Sequence, residues 1–424
     1  MAKKRKRAGA LRTVSLYTGC GGLDFGFEAA GFETYVGVEF DRDSVETIKL
    51  NRNWPMICRD IHDVPSDEIM STGGLKPGDV DMLIGGPPCQ PFSKSSYWVH
   101  GDSRRLEDPR ATTLHAYMRC VEDMLPEVFL LENVHGISYS GKEEGFELLM
   151  KLTEKINKKH KTNYQLSWKV LNAADYGVPQ LRVRFFLVGH RDGGRFTFPA
   201  ATHAPIPDAD DSEAKKQLKA LVLPTYVTAW DAIGGYKPTE DSLHIRGSWA
   251  DLLPSIPEGE NYLWHTNRKG GMPLFGWRTR YWSFLLKLAK RLPSWTIQSQ
   301  PGASIGPFHW ESRLLAAEEM ARIQTFPHDL EFAGGRTSIQ KQIGNAVPSL
   351  LAEVLARAIA EQFFGVGYEN GPERAVKIQR PIPKPEKLRP VPVKFLDRVG
   401  EHPDHPGEGK GAASKKRLNA TMQL

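Results

Sequence analysis

Over its first 190 residues the chain alternates short β-rich runs with segments of helical spacing, and this alternation constrains the fold more than any other feature. Val14–Tyr17, Thr34–Glu39, Val80–Ile84, Val128–Glu132, Leu166–Leu171 and Val183–Val188 read as strands. Leu23–Ala30, Ser44–Leu50, Leu114–Leu125 and Glu144–Ile156 carry apolar residues at helical intervals, with Asp43 placed to cap the second of these helices. Strand and helix in strict turn require a mostly parallel sheet covered on both sides, so the expected class is a Rossmann-like, doubly wound α/β domain. After Gly189 the pattern dissolves, and Ala200–Asp211 has the composition of an exposed link. A second, smaller unit follows, rich in Gly, Pro and aromatic residues, with five of the ten tryptophans between Tyr226 and Trp282; it is expected to be mostly irregular or β. Ser349–Phe363 is an apolar-striped helix that should return to the first domain. Beyond Gly365 the chain is rich in Pro and Lys and poor in large apolar residues, which predicts a disordered or loosely attached tail. The division is thus a basic extension (1–12), a first domain (13–200 with 340–365), a second domain (201–339) and a tail (366–424).

Composition excludes several classes. No stretch approaches eighteen consecutive apolar residues, so no membrane span is expected, and the basic start MAKKRKR lacks the apolar run of a secretory leader. Four cysteines, at 20, 58, 89 and 120, match neither a metal knuckle nor a disulfide scaffold, so reduced thiols and no metal are expected. The net charge of +6 is uneven: residues 1–12 hold six Lys or Arg, residues 371–424 hold twelve against six acids, and the body is therefore mildly acidic. A nucleic-acid partner would have to be met by a local patch. From Asn261 to Trp310 there is no acid, while Arg268, Lys269, Arg278, Arg280, Lys287, Lys290 and Arg291 fall inside.

Four motifs carry chemistry. The first strand runs into Tyr17-Thr-Gly19-Cys-Gly21-Gly22 and then a helix, a turn that lets a cofactor approach the backbone. Asp24 stands where a dinucleotide fingerprint needs its third glycine, which disfavours a nicotinamide enzyme. Glu39 closes the second strand, where a carboxylate can accept both ribose hydroxyls, and S-adenosylmethionine fits such a site. A tight turn beside a solvent-facing Glu is the plainer alternative. Gly85-Gly-Pro-Pro88-Cys89-Gln90-Pro-Phe-Ser93 follows an apolar strand, and two prolines stiffen the approach to one thiol where open α/β sheets place their sites. Cys89 is the candidate nucleophile; Cys20, Cys58 and Cys120 read as packing. Leu130-Leu-Glu132-Asn-Val134 puts a carboxylate at a strand end, where desolvation would keep it protonated and able to act as an acid. Helix capping would explain Glu132 equally well. Alternation places Gln180, Arg182 and Arg184 on one face, able to bind a carboxylate, a base edge or a phosphate.

Taken together and in this order, Tyr17–Gly22 with Glu39, GGPPCQPFS, Glu132-Asn-Val, Gln180-x-Arg182-x-Arg184, RIQTFP and Gly344-Asn345-Ala-Val-Pro348 resemble the DNA cytosine carbon-5 methyltransferases, of the bacterial modification type. The resemblance covers residues 11–363. After Asp108-Pro-Arg110 the family has a short spacer and then Leu, whereas here Thr113 or Leu114 fills that place. The resemblance implies methyl transfer from S-adenosylmethionine to carbon 5 of a flipped-out cytosine, with Cys89 adding at carbon 6, Glu132 donating at ring nitrogen 3, and Arg182 and Arg184 stabilising charge. It implies that Tyr17, Gly19, Gly21, Gly22, Glu39, Phe40, Asp60, Ile61, Pro88 and Asn345 line the cofactor pocket, with Asp60 on the adenine amine. Base flipping would fall to the loop Gln90–Arg105, where Ser93, Ser95 and Ser96 reach phosphates and Tyr97 and Trp98 fill space. Gln90, Ser93 and Gln180 would touch DNA. Arg268, Arg278 and Arg280 are the candidate base readers, with Lys287, Lys290 and Arg291 on phosphates or solvated.

The expected partner is double-stranded DNA. A separate cognate restriction endonuclease, a monomeric state and a cytoplasmic location with the nucleoid accompany that reading. Cytosine in tRNA is the rival substrate. A DNA-binding regulator with an idle site is the rival of another class.

Overall fold

The computed structural model describes residues 9–88, 112–134, 144–206, 223–238, 243–276, 281–379 and 381–400. Its central element is a seven-stranded sheet of β1 (Leu11–Leu16), β2 (Phe32–Glu39), β3 (Met56–Cys58), β4 (Met82–Gly85), β5 (Val128–Val134), β6 (Gln165–Asn172) and β8 (Val183–His190), in the order β3-β2-β1-β4-β5-β8-β6. The first five pair in parallel, and β8 lies antiparallel between β5 and β6. The Rossmann-like α/β expectation therefore holds. Strand order reverses between β1 and β4, the kind of crevice where such sheets bind ligands. Because β8 runs backwards, its start shares the sheet edge where β1, β2, β4 and β5 end: Arg184 is opposite Val134.

Helices α1 (Gly22–Ala29), α2 (Arg42–Asn51), α3 (Ser66–Thr72), α4 (Thr112–Met124) and α5 (Glu144–His160) connect the strands. Asp41, not Asp43, caps α2, its side chain accepting from the Ser44 N–H at 3.1 Å; the helix starts earlier than the apolar pattern indicates because its first turn is polar. One core, with Val14, Leu16, Val38 and Tyr117, fills one face of the sheet. A second, with Phe27, Ile84, Leu130, Leu351 and Leu355, fills the other. The second face is covered by α9 (Ser349–Ile359), the returning helix, which sits against α1 so closely that a side chain at Gly26 would meet the Ser349 carbonyl at 2.4 Å. The segment Arg336–Phe364 is long and apolar enough to cross a membrane, yet 72% of its most apolar stretch is buried inside the protein, as a core helix would be.

The second unit is mostly irregular, with 3-10 turns at Ala250–Ser255 and Tyr262–His265, helices α6 (Ala229–Ile233) and α7 (Ala317–Ile323), and a strand β9 (Ser294–Trp295) that pairs with β7 (Gln180–Leu181) of the first unit; α8 (Arg336–Asn345) leads back from it. It has its own core around Leu252, Leu253, Tyr262 and Phe308. A third cluster joins the two units: Phe25 and Ile48 from the first pack with Ile297, Trp310 and Ile343.

The tail departs from expectation. Residues 366–379 and 381–400 run as a strap along both units, without regular structure except for a 3-10 turn at Val393–Arg398. The Tyr368 hydroxyl donates to the Ala30 carbonyl, Gln379 is held by Asp231, and the Arg389 and Gly400 N–H groups donate to Pro254 and Pro273. Phe395, 4% exposed, completes the core of the second unit by stacking on Trp249 at 5.4 Å. The segment has few large apolar residues, but one buried aromatic and a series of backbone hydrogen bonds suffice to fasten it.

Candidate active site

The turn after β1 is strained and open. Tyr17 adopts φ 54°, a left-handed conformation that costs a non-glycine residue about 1 kcal/mol, and its hydroxyl donates to the Thr113 carbonyl at 2.9 Å. Gly19 follows at φ 55°, and no other described residue comes within 4 Å of where a side chain would stand. Gly21, also left-handed, caps α1, and Gly22 begins it. The Gly19 N–H donates to one oxygen of Glu39 and the Asp41 N–H to the other, both at 2.8 Å. Burial raises the Glu39 pKa, and the backbone donors of Asp41, Gly19 and Phe40 oppose it. Phe40, next along, leaves its ring 60% exposed beside the same opening.

Asp60 caps a short 3-10 turn and accepts from the His62 N–H at 3.0 Å, and the His62 Nδ1 lies 2.6 Å from the same oxygen. These contacts hold its carboxyl below the usual range, with the backbone donor foremost. Ile61 is buried in the core, and its carbonyl accepts from Arg119, so it lends the pocket little surface. Asn345 ends α8 exposed. An open glycine turn, a fixed carboxylate and an exposed aromatic ring fit an adenosine-type cofactor such as S-adenosylmethionine.

Glu132 sits at the end of β5, buried, with Oε1 3.1 Å from the Arg184 Nε. Burial raises its pKa, and Arg184 and then Arg182 counteract. Its other oxygen reaches within 3.0 Å of the position a side chain would take at Gly86, which begins the approach to Pro87 and Pro88. Neither proline has an N–H, and their carbonyls are gripped by side chains: Pro87 by Asn133 Nδ2 and Pro88 by Thr113 Oγ1, each at 3.2 Å. Asn133 escaped the sequence reading although it stands within the same Glu132-Asn-Val triplet.

Gln180, Arg182 and Arg184 do not share an open face. The run breaks at Arg182, because Leu181 pairs with Trp295 in a separate ladder while Val183 enters the main sheet. Gln180 is buried, exchanging hydrogen bonds with Gln324 and the Ile297 N–H, so the expected DNA contact is replaced by a tie between the two units. Arg182 is 1% exposed, and its guanidinium donates to the carbonyls of Gly344, Asn345 and Ile297. It is a strut behind Arg184 rather than an exposed base or phosphate ligand; its Nε has no partner among the described residues. Arg184 alone of the three faces Glu132.

The basic stretch of the second unit is partly neutralised by acids just outside it. Lys269 pairs with Glu260, and Lys290 is buried between Glu258 and Glu386, the latter from the tail strap. Lys287 is buried too, and burial pushes its pKa down to about 8. Lys287 and Lys290 are therefore neither phosphate contacts nor solvated surface charges. Arg268 and Arg291 are exposed, as are the rings of Tyr281 and Trp282. Cys20 and Cys120 are buried as expected of packing cysteines, whereas Cys58 is exposed at the end of β3. Among the described residues no three His, Cys, Asp or Glu side chains assemble as a metal site would require. Cys89, Gln90, Ser93, the remainder of the loop to Arg105, and Arg278 and Arg280 lie outside the described residues.

Comparison with known proteins adds a family. Residues 11–361 match the family model described as C-5 cytosine-specific DNA methylase. The type II methyltransferase M.SacI of Streptomyces achromogenes is 40% identical over 376 residues, 83% of this chain and 93% of that protein. M.NgoFVII of Neisseria gonorrhoeae, also a type II methyltransferase, is 31% identical over 85% of this chain and 88% of its own. Among solved structures, a putative DNA modification methyltransferase encoded within a prophage of E. coli superposes with a TM-score of 0.56 at 22% identity, covering 83% of this chain and 99% of that one.

Proposed function

The chain belongs to the C-5 cytosine-specific DNA methylase family and is a DNA cytosine-5 methyltransferase of the restriction-modification type; from that premise we propose how its own residues carry the reaction. The substrate is a cytosine within one short sequence of double-stranded DNA, flipped out of the duplex because its reacting edge is stacked inside. The methyl donor is S-adenosylmethionine, held by the Gly19–Gly22 turn, Glu39 on the ribose, Phe40 and Asp60 on the adenine, and Asn345.

Cytosine is not nucleophilic at carbon 5. The Cys89 thiolate adds to carbon 6, forming an S–C bond while the ring double bond shifts its electrons toward carbon 5. Glu132 gives its proton to ring nitrogen 3 and so accepts the charge that the addition would leave on the ring. Burial supports that role, because it raises the pKa of Glu132 and favours the protonated donor. Arg184, 3.1 Å from Glu132, fixes the carboxyl and presents its remaining donors to the base carbonyl. Arg182 backs Arg184 and ties it to the segment around Asn345. When bound, S-adenosylmethionine supplies an electrophilic sulfonium methyl to the activated carbon 5. A solvent base takes the carbon 5 proton, the freed electron pair reforms the carbon 5–carbon 6 double bond as the S–C bond breaks to release the Cys89 thiolate, and ring nitrogen 3 returns its proton to Glu132.

Recognition of the sequence falls to the second unit, through Arg268, Arg278 and Arg280, together with the exposed rings of Tyr281 and Trp282 that follow Arg280 in sequence. The protein works as a monomer on nucleoid DNA in the cytoplasm, with any cognate endonuclease acting separately. The observation that carries this reading is Glu132, buried and paired with Arg184 at the sheet edge, alongside the Gly86-Pro87-Pro88 approach to Cys89. Bisulfite sequencing of DNA from cells expressing the protein tests it: one short motif should resist conversion at its cytosine. Uniform conversion despite soluble, folded protein would refute it.

A further inference from the structure

We propose that Thr113 is a positioning residue that aims the peptide entering Cys89 and couples it to the cofactor pocket, an inference that rests on the cysteine mechanism above. Pro87 and Pro88 have rings that fix φ and no N–H to donate. The one soft torsion left at each is ψ, which sets where the carbonyl points and hence how the next amide is turned. At Pro88 that torsion orients Cys89. The Thr113 hydroxyl grips the Pro88 carbonyl at 3.2 Å, as Asn133 grips that of Pro87. An apolar side chain at position 113 would have no donor for that carbonyl.

The same residue reaches the cofactor side. Its backbone carbonyl accepts from the Tyr17 hydroxyl at 2.9 Å, and burial raises the Tyr17 pKa so that the hydroxyl keeps its proton. One position earlier, Thr112 Oγ1 lies 2.8 Å from the His62 Nε2, whose Nδ1 lies 2.6 Å from Asp60. Two consecutive threonines at the start of α4 thus connect Tyr17 and Asp60 with the residue that precedes the nucleophile. Thr113 is buried and β-branched, so its hydroxyl has few rotamers in which to stray.

The experiment compares wild type, Thr113→Val and Thr113→Ser on a duplex carrying 5-fluorocytosine at the target. It reads the rate of denaturation-resistant adduct formation at saturating S-adenosylmethionine, the cofactor affinity by calorimetry, and the melting temperature. Thr113→Val should form adduct at least about tenfold more slowly, while cofactor affinity stays within about twofold and Thr113→Ser restores the rate. A wild-type rate in Thr113→Val overturns the proposal. So does a loss of cofactor affinity whose rate defect disappears at saturation, which would make Thr113 a cofactor contact. Tyr17→Phe, which releases Thr113 without touching Pro88, gives an independent reading if the valine variant does not fold: adduct formation should slow, and a wild-type rate overturns the coupling. If wild type itself forms no adduct, the cysteine mechanism fails; if it does and the variants match it, only the role of Thr113 fails.

Discussion

Removing the Phe395 ring should loosen the second unit, although the residue lies well beyond Ile359, where α9 ends. The ring is 4% exposed and stacks on Trp249 with the planes 7° apart. Burying such a side chain contributes about 1.5–3 kcal/mol, and an aromatic pair adds about 0.5–1.5 kcal/mol. Phe395→Ala should therefore cost about 2–4 kcal/mol of the stability of the second unit. With a urea slope of about 1–3 kcal/mol per molar, that lowers the midpoint by about 1 M or more. Urea unfolding of the full chain, followed by tryptophan fluorescence, reads this directly because Trp249 lies under the ring. Truncation after residue 379 should do at least as much, since it also removes Glu386 from Lys290. An unchanged midpoint in both variants would refute the strap and restore the picture of a loosely attached tail.

Glu132→Gln should lower methyl transfer about 100- to 10,000-fold while DNA affinity changes little; competition binding alongside single-turnover rates checks this, and a loss confined to affinity would reassign Glu132 to positioning. Because the acid must be protonated, wild-type turnover should fall as pH rises through its raised pKa, and the glutamine variant should lack that limb. Lys290→Met should destabilise the second unit by about 3–5 kcal/mol, because it removes the counter-ion of the Glu258 carboxylate, whose side chain is 7% exposed, and leaves it only backbone N–H donors. It should leave the salt dependence of DNA binding alone, where a lost phosphate contact would reduce the slope by about 0.9. Asp24 is buried, and burial pushes its pKa up to about 7, so the folded state holds a proton that the unfolded chain releases near the ordinary carboxylate range. Stability should thus fall as pH rises from about 4 to 7, by up to about 1.4 kcal/mol per unit. Asp24→Asn should flatten that slope, and a change in urea midpoint between about pH 4 and pH 7 that is the same for variant and wild type would contradict it.

Much of this was legible in the sequence because period and chemistry coincide at strand ends. Glu39 and Glu132 each close an apolar run, and a parallel sheet brings the ends of such runs to one edge. What escaped depended on pairing between distant segments. Nothing local to Gln180-Leu-Arg182 shows that Leu181 leaves the main sheet to pair with Trp295, so simple alternation puts Gln180 and Arg182 on an open face that they do not occupy. Lys290 looked like a surface cation because its acids, Glu258 and Glu386, lie 32 positions before it and 96 after it. The strap was missed for a related reason: composition measures how much a segment can bury, whereas Phe395 needs only one partner ring in place.

The central claim is the covalent step at Cys89, and peptide mapping of the adduct tests it most directly. A duplex containing 5-fluorocytosine at the target, incubated with the protein and S-adenosylmethionine, should yield a denaturation-resistant complex whose modified peptide contains Cys89, because fluorine cannot leave carbon 5 as a proton does. Cys89→Ala should give no complex while still binding the cofactor. A protein that methylates ordinary DNA yet forms no adduct, or forms one at another residue, would contradict the account.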